Sequence, residues 1–347
     1  MRRKNLLKVV GVIVVAAVLA IAFMLGCAEK APAPAPKVYE WRWFDVYTPR
    51  DWGHGQVAKL MDEVEKETGG RLKIEVFAMG EHPYASADML KVVKERKAEV
   101  VGSTGGYVGG VEPVAAIYSL PMLLPPDIET TRELLYATQE EVLRPIWDRW
   151  NCECLFTYFW PPQYIHANVA VTSWDSLRGK SIRAWSAPLV EFVNVLNGEG
   201  VVIEFGEVPT ALGTGLLDGV ITSAAAAYDL GLYDYVDYLT MIPICLPRTA
   251  LLVNKDALAE LDSDTRQTLL KVFAEAESSV MKGYMDEGAK AVNMCVEDLG
   301  AIVVEPSPKF LDEIREKCEE EVWPSWLEGA GAEGEKALSI IEKEMGR

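Results

Sequence analysis

The chain has 347 residues, with 34 Lys and Arg against 52 Asp and Glu, for a formal net charge of −18. That excess of negative charge argues against nucleic acid or an anionic lipid surface as the partner. A body of about 310 residues beyond the N-terminal segment exceeds what one core usually carries, so two lobes are expected, with ten Trp and thirteen Tyr to pack them and line a cleft between them.

The N-terminus reads Met1-Arg2-Arg3-Lys4, then an apolar run from Val9 to Leu25, then Gly26-Cys27. A basic head, an apolar middle and small residues at the end describe a secretory signal. The Cys directly after Leu-Gly gives residues 1–26 the form of a lipoprotein signal, with Cys27 as the lipidated first residue of the mature chain; Met24 stands where Leu is more usual. The alternative is an uncleaved anchor helix, because the charge-free run is long enough to span a bilayer. Either reading places the body outside the cytoplasm, periplasmic or at the cell surface, held to a membrane. Residues 27–37 alternate Ala and Pro from Ala31 to Pro36, a composition that builds no core and extends as a semi-rigid tether.

From Val38 the pattern turns α/β. Strands are expected at 38–46, 71–77 and 99–102, with helices at 56–68 and 85–98 between them, the signature of a parallel sheet with crossover helices. A helix at 130–150 and a buried strand at 152–159 follow. A second set has strands at 164–171, 180–185, 201–204 and 218–222, a helix at 187–196 and a short helix at 207–215. Residues 249–254 return to strand. Ser263 to Leu299 reads as one very long helix, too long for a single small lobe, and 307–321 and 335–345 are amphipathic helices. The pattern describes an α/β, two-lobed periplasmic-binding-protein (clamshell) architecture with a long lobe-bridging helix. Its first lobe is 38–160 plus about 247–288; its second is 161–246 plus about 289–347 with the C-terminal helices.

The chain carries little that resembles catalysis. Gly179-Lys180-Ser181 ends like a phosphate loop, but Trp174 stands where the first Gly would be. The run Gly102-Ser103-Thr104-Gly105-Gly106-Tyr107-Val108-Gly109-Gly110 lacks dinucleotide-binding order and reads as a flexible loop beside a cleft, because open α/β sheets bind ligands at the carboxyl ends of their strands. His54, His82 and His166 are scattered, and no metal, cofactor or catalytic set is expected. Besides Cys27 there are five cysteines, Cys152, Cys154, Cys245, Cys295 and Cys318; an odd number cannot all pair, and buried thiols or one fortuitous pair are expected.

One residue demands a partner. Arg183 sits in the apolar strand Ser181-Ile182-Arg183-Ala184-Trp185, where a guanidinium is costly unless paired. Its planar fork suits a carboxylate; either an internal Asp or Glu supplies it or a ligand does. Trp160-Pro161-Pro162-Gln163-Tyr164 lies at the crossing between lobes, either as a rigid linker with packed aromatics or as a ligand-facing wall with Gln163 as a hydrogen-bond donor.

The segment Trp174 to Gly219 resembles the DctP family, the solute-binding proteins of tripartite ATP-independent periplasmic (TRAP) transporters. The family's strand entry D-x-L-x-G-x-K-I-R is matched by Asp175-Ser176-Leu177-Arg178-Gly179-Lys180-Ser181-Ile182-Arg183, with Ser181 where Lys is usual. Its E-V-x-T-A-L-x-T-G-x-x-D-G is matched by Glu207 through Gly219 almost residue for residue. Further likenesses are Glu67 through Val76 to a second-strand entry, Ser119-Leu120-Pro121-Met122-Leu123 to an L-P-F turn, and Val253-Asn254-Lys255 to a return strand. The resemblance covers about residues 38–305.

It implies two lobes closing on a small organic acid, a bridging helix, and delivery to TRAP membrane permease subunits. The family's carboxylate-binding arginine falls on Arg183. Two departures stand out. Gln163 occupies the place of a second arginine found in some members, and Thr222 stands where many carry an Asn that touches the carboxylate. Less charge around the site implies a monocarboxylate with an apolar or aromatic body, lined by Trp160, Trp185 and Tyr228. The expectation is a monomeric, non-enzymatic receptor; a binding protein of an ABC importer and a ligand-sensing lipoprotein are the alternatives on the same fold.

Overall fold

The computed structural model describes residues 37–346; the signal segment, Cys27 and the tether through Pro36 lie outside the described residues. Two mixed sheets organise the body. The first takes β1 (Tyr39–Phe44), β2 (Leu72–Phe77), β3 (Val100–Thr104), β4 (Cys152–Phe159) and a late-returning strand, β10 (Arg248–Asn254), in the order β2-β1-β3-β10-β4. The second takes β5 (Gln163–Ala167), β6 (Ser181–Ala184), β7 (Glu199–Val202), β8 (Gly219–Ser223), β9 (Tyr238–Thr240) and β11 (Ile302–Val304), in the order β11-β9-β5-β8-β6-β7.

The elements follow from their patterns. In β1, Tyr39, Trp41 and Trp43 are buried while Glu40 and Arg42 face solvent, the two-residue period of a strand with one wet face. The helix Trp52–Glu67 buries Val57, Leu60, Met61 and Val64, and the chain turns back through Gly69 and Gly70, both at positive φ. β1, β2 and β3 run parallel, as their crossover helices require. β10 then inserts antiparallel to both β3 and β4.

The chain crosses between the sheets twice, and the two crossings lie side by side. Trp160 N donates to Pro247 O at 2.8 Å, Gln163 N to Cys245 O at 3.0 Å, and Ile244 N to Gln163 O at 2.9 Å. A third connection is the helix Ser263–Leu299, capped by Asp262, which accepts from Thr265 N, and closed by Gly300 at φ 76°. Its Leu269, Phe273 and Tyr284 join the core under the first sheet, whereas Ala291 and Cys295 pack with Ala224 and Ala301 of the second lobe. The fold is a two-lobed α/β clamshell with this helix spanning both lobes.

Some local structure departs from the sequence reading. The helix expected over 130–150 is broken into Ile128–Thr138 and Arg144–Arg149 by a wide π turn at Gln139–Leu143, in which Arg144 N reaches back to Gln139 O. Pro145 offers no N–H to an α-helical ladder, and the wider turn absorbs the loss. A C-terminal helix starts earlier than expected, spanning Trp323–Glu344 with a kink at Gly331. Its indoles tie it to first-lobe carbonyls, Trp323 Nε1 to Pro121 O at 2.9 Å and Trp326 Nε1 to Pro113 O at 2.8 Å, while Ser325 Oγ donates to Glu191 of the second lobe at 2.6 Å. Cys152, Cys154, Cys245, Cys295 and Cys318 are all free thiols. No helix among the described residues is long and apolar enough to cross a membrane.

Candidate functional site

A hollow lies between the lobes. From the first lobe come Val46, Thr104, Tyr107 and Trp160; from the second come Gln163, Arg183, Trp185, Phe205 and Thr222, among others. Parallel strands β6 and β8 deliver Arg183 and Thr222 from their carboxyl-terminal halves, the position where open α/β sheets place ligands. No carboxylate is among the lining residues.

The two sequence motifs build this placement together. Asp218, near the end of the second, clamps the first: it accepts from Lys180 Nζ at 2.9 Å and Ser181 N at 3.0 Å, and its own N–H donates to Ser181 O at 2.8 Å. That clamp fixes β6 against β8, and Arg183 in register opposite Val220.

Arg183 is only 1% exposed. Its Nε donates to Ile203 O at 3.0 Å and Nη1 reaches Ile221 O at 3.4 Å; the guanidinium lies 5.5 Å from the Phe205 ring centroid. Nη2 has no protein partner. Asp175 and Asp218, the aspartates of the two motifs, are engaged elsewhere, with Arg178 and Lys180 respectively. Backbone carbonyls therefore aim the fork and supply partial negative charge, and one edge of it is left to the hollow.

Tyr107 approaches this charge from the opposite lobe. Burial pushes its phenol up, and the neighbouring guanidinium of Arg183 pulls against that. Thr222 is held from behind by His166, which lies fully buried: Nε2 donates to Thr222 O at 3.2 Å, leaving Nδ1 to accept from Tyr233 OH at 2.7 Å. Burial lowers the His166 pKa to about 4, so a neutral ring with this tautomer supports the strand.

Of the residues singled out from sequence, Arg183, Gln163, Thr222, Trp185 and Trp160 come together around the hollow. Gln163 is partly committed, since its Nε2 donates to Pro161 O at 2.8 Å and stiffens the crossing turn. Trp160 is held by its own indole, which donates to Thr249 Oγ1 at 2.8 Å. Tyr228 does not belong with them. It lies on the helix Ala224–Asp229, and its hydroxyl donates to Asp298 on the long helix at 3.0 Å. Residue 226 faces the hollow, and two residues on, a helix has turned by about 200°.

Sequence reasoning missed Tyr107 and Phe205. The Gly-rich run containing Tyr107 carries the signal, being a loop that follows a strand. It is ordered as the short helix Gly105–Val108, not loose. Phe205 follows β7 with no mark in the sequence beyond its apolarity.

The profile of the DctP family, bacterial extracellular solute-binding protein family 7, matches residues 45–328, well over half of the chain. The chain belongs to the DctP family. Among its DctP relatives, the ectoine-binding periplasmic protein TeaA of Halomonas elongata is 22% identical over 278 residues, covering 78% of this chain and 80% of TeaA. Among solved DctP structures, the Bordetella pertussis receptor DctP6, which binds pyroglutamic acid, superposes with a TM-score of 0.82 at 23% identity, covering 88% of this chain and all of that one. A TRAP solute-binding protein of Desulfovibrio salexigens with bound orotic acid gives 0.80 at 21% identity, over 89% and 99% of the two chains. As a DctP protein the chain is an extracytoplasmic solute-binding component of a transport system.

Proposed function

We propose that the protein is the lipid-anchored receptor of a TRAP transporter and captures a small monocarboxylate with an apolar or aromatic body. The observation that carries this is the buried Arg183 guanidinium, which faces a hollow with one N–H edge unpartnered and no carboxylate on the walls. A ligand carboxylate supplies the missing acceptor. Thr222, and the amide hydrogen that Gln163 has to spare, add neutral donors, and the indoles of Trp160 and Trp185 enclose the body. The names of two structural neighbours, binders of pyroglutamic and orotic acid, support an acid as cargo. With only one cation on the walls, a second carboxylate on the ligand would be buried without a partner, which is costly.

In this reading the protein does no chemistry. The lobes, 38–160 with about 247–288 and 161–246 with about 289–347 including the C-terminal helices, close about the paired crossings, and the last of those helices straps the second lobe to the first. The closed form, acting as a monomer, is what the permease subunits engage. Cys27 carries the lipid; Cys27→Ser moves the protein from the membrane to the soluble fraction, and unchanged membrane association would point instead to an uncleaved anchor. The central test is a thermal-shift screen of carboxylic acids against their primary amides on the full chain in lipid nanodiscs. Acids stabilise and amides do not. Equal stabilisation by both would remove the carboxylate from the assignment.

A further inference from the structure

The hollow at Arg183 has a neighbour. Beyond the rings of Tyr107 and Trp185 lies a second, larger one, walled by Gly109, Gly110 and Pro113, by Pro188 at the start of the helix Ala187–Val195, and by Trp326 and Gly329 of the C-terminal helix. Tyr107 and Trp185 line both hollows. Their rings meet edge to face, centroids 5.7 Å apart at 62°, a favoured aromatic geometry.

The contact joins the two lobes, Tyr107 from the first and Trp185 from the second. It also depends on Gly106. A Cβ there would stand 2.2 Å from Trp185 Cζ3 and 2.8 Å from Cε3, so only glycine lets the indole seat this deeply. Trp185 is 6% exposed in that seat. Nothing charged lies in the partition itself. On its inner side is the guanidinium, and on its outer side are largely Gly, Pro, Ala and Trp surfaces, with Glu191, Ser186 and Ser325 as the polar groups among them.

We propose that the Tyr107–Trp185 pair is a partition that sets ligand length. It divides one continuous cavity into an acid-binding inner chamber and an outer chamber that the ligand's tail does not enter. The wild-type protein takes monocarboxylic acids whose apolar body ends at the indole. With the indole shortened, the chambers merge, and acids with longer apolar tails are accepted, the tail lying toward Pro188 and Trp326. This rests on the reading of Arg183 as the acid anchor for the choice of probe, and the outcomes below separate the two.

The test is a thermal-shift titration of the full chain in nanodiscs with phenylacetic, 3-phenylpropanoic, 4-phenylbutanoic and 5-phenylpentanoic acids and the corresponding amides. Wild type shows a cut-off, with affinity falling at least tenfold within two added methylenes. Trp185→Leu moves that cut-off outward by at least two methylenes. Gly106→Ala, which leaves the indole intact but denies it its seat, moves it in the same direction and serves if the leucine variant does not fold. A wild type with no length cut-off, or a cut-off that neither variant moves, overturns the proposal. If amides show the same shifting cut-off as acids, the partition stands and the acid anchor falls.

Discussion

Replacing Arg183 with Met tests the central assignment because it should weaken the complex while leaving the free protein almost unchanged. The side chain contributes a buried positive charge whose hydrogen bonds run to Ile203 O at 3.0 Å and Ile221 O at 3.4 Å, with the Tyr107 hydroxyl nearby and Nη2 without a partner within bonding distance. In the free protein, Met removes an incompletely compensated charge and strands two carbonyls, costs of similar size and opposite sign, about 1–3 kcal/mol each. Stability without ligand should therefore change little. In the complex, a charge-assisted bond of about 1.5–3 kcal/mol disappears, a loss of about 10- to 150-fold in affinity at about 1.4 kcal/mol per decade.

The melting curve makes this visible. A ligand at 100 times its Kd adds about 2.7 kcal/mol. For a body of about 310 residues, with unfolding entropy near 2.1 cal/mol/K per residue, that is about 4 °C. At the same ligand concentration the variant's gain should fall to about 2 °C or less, while its melting temperature without ligand stays within about 2 °C of wild type. Differential scanning fluorimetry with titration calorimetry measures both. Full retention of the ligand-induced shift would refute the argument, and so would a large loss of stability in the free protein with unchanged affinity.

Three further outcomes follow from the same geometry. Asp51 is buried just before the helix Trp52–Glu67, and burial raises its carboxyl from 3.8 to about 7 against the donors of Thr48; the folded state holds the extra proton, so its contribution is present below about pH 4 and is lost as pH rises through 7. Asp51→Asn should gain on wild type by a few kcal/mol between pH 4 and pH 8 in urea unfolding, and a pH-independent difference would contradict that. Glu204 of the second lobe accepts from Ser86 N and Ser86 Oγ of the first, both at 3.1 Å; Glu204→Ala should weaken ligand binding about three- to tenfold by calorimetry and enlarge the ligand-free protein in small-angle scattering, and unchanged affinity would argue against a latch. Gly105→Ala would set a Cβ 1.9 Å from Ala115 O, a backbone atom that cannot swing aside, and should cost at least 1–3 kcal/mol of stability; a neutral melting temperature would show that the 105–115 segment yields.

The parts of this molecule legible in sequence are those fixed by local rules. The long helix shows its ends, Asp262 as N-cap and Gly300 in the left-handed region, so Ser263–Leu299 reads off correctly. Its two internal glycines look like weaknesses, and only the fold explains them. A Cβ at Gly283 would meet Trp52 at 2.6 Å, and one at Gly288 would meet Pro161 at 2.3 Å, where the helix presses on the lobe crossing. The helix Ala224–Asp229 was legible too, since Ser223 caps it by accepting from Ala226 N. With that cap in place Tyr228 falls two residues past Ala226 on the same helix and turns away from the hollow. What no local rule reveals is contact across the cleft. Tyr107 meets Arg183 and Trp185 from about 80 residues away, and such pairings exist only once both lobes are placed.

A second arginine shows why burial alone does not make a site. Arg248 opens β10, is 3% exposed, and leaves Nε and Nη2 without partners. As guanidinium groups in buried strands of the folded protein, the two are equivalent. Their surroundings differ. Arg248 lies 4.9 Å from the Trp147 ring centroid, beside Cys154 and Tyr118 in the interior of one lobe, and burial lowers its pKa. Arg183 points at a hollow that two lobes build and can unbuild, with a hydroxyl from the opposite lobe beside it. A ligand that completes Arg183 also joins the lobes, so its binding energy favours the closed form over the open one. One that completed Arg248 would touch a single rigid body and shift nothing. The arginine that matters to a clamshell receptor is the one whose missing partner lies between the shells.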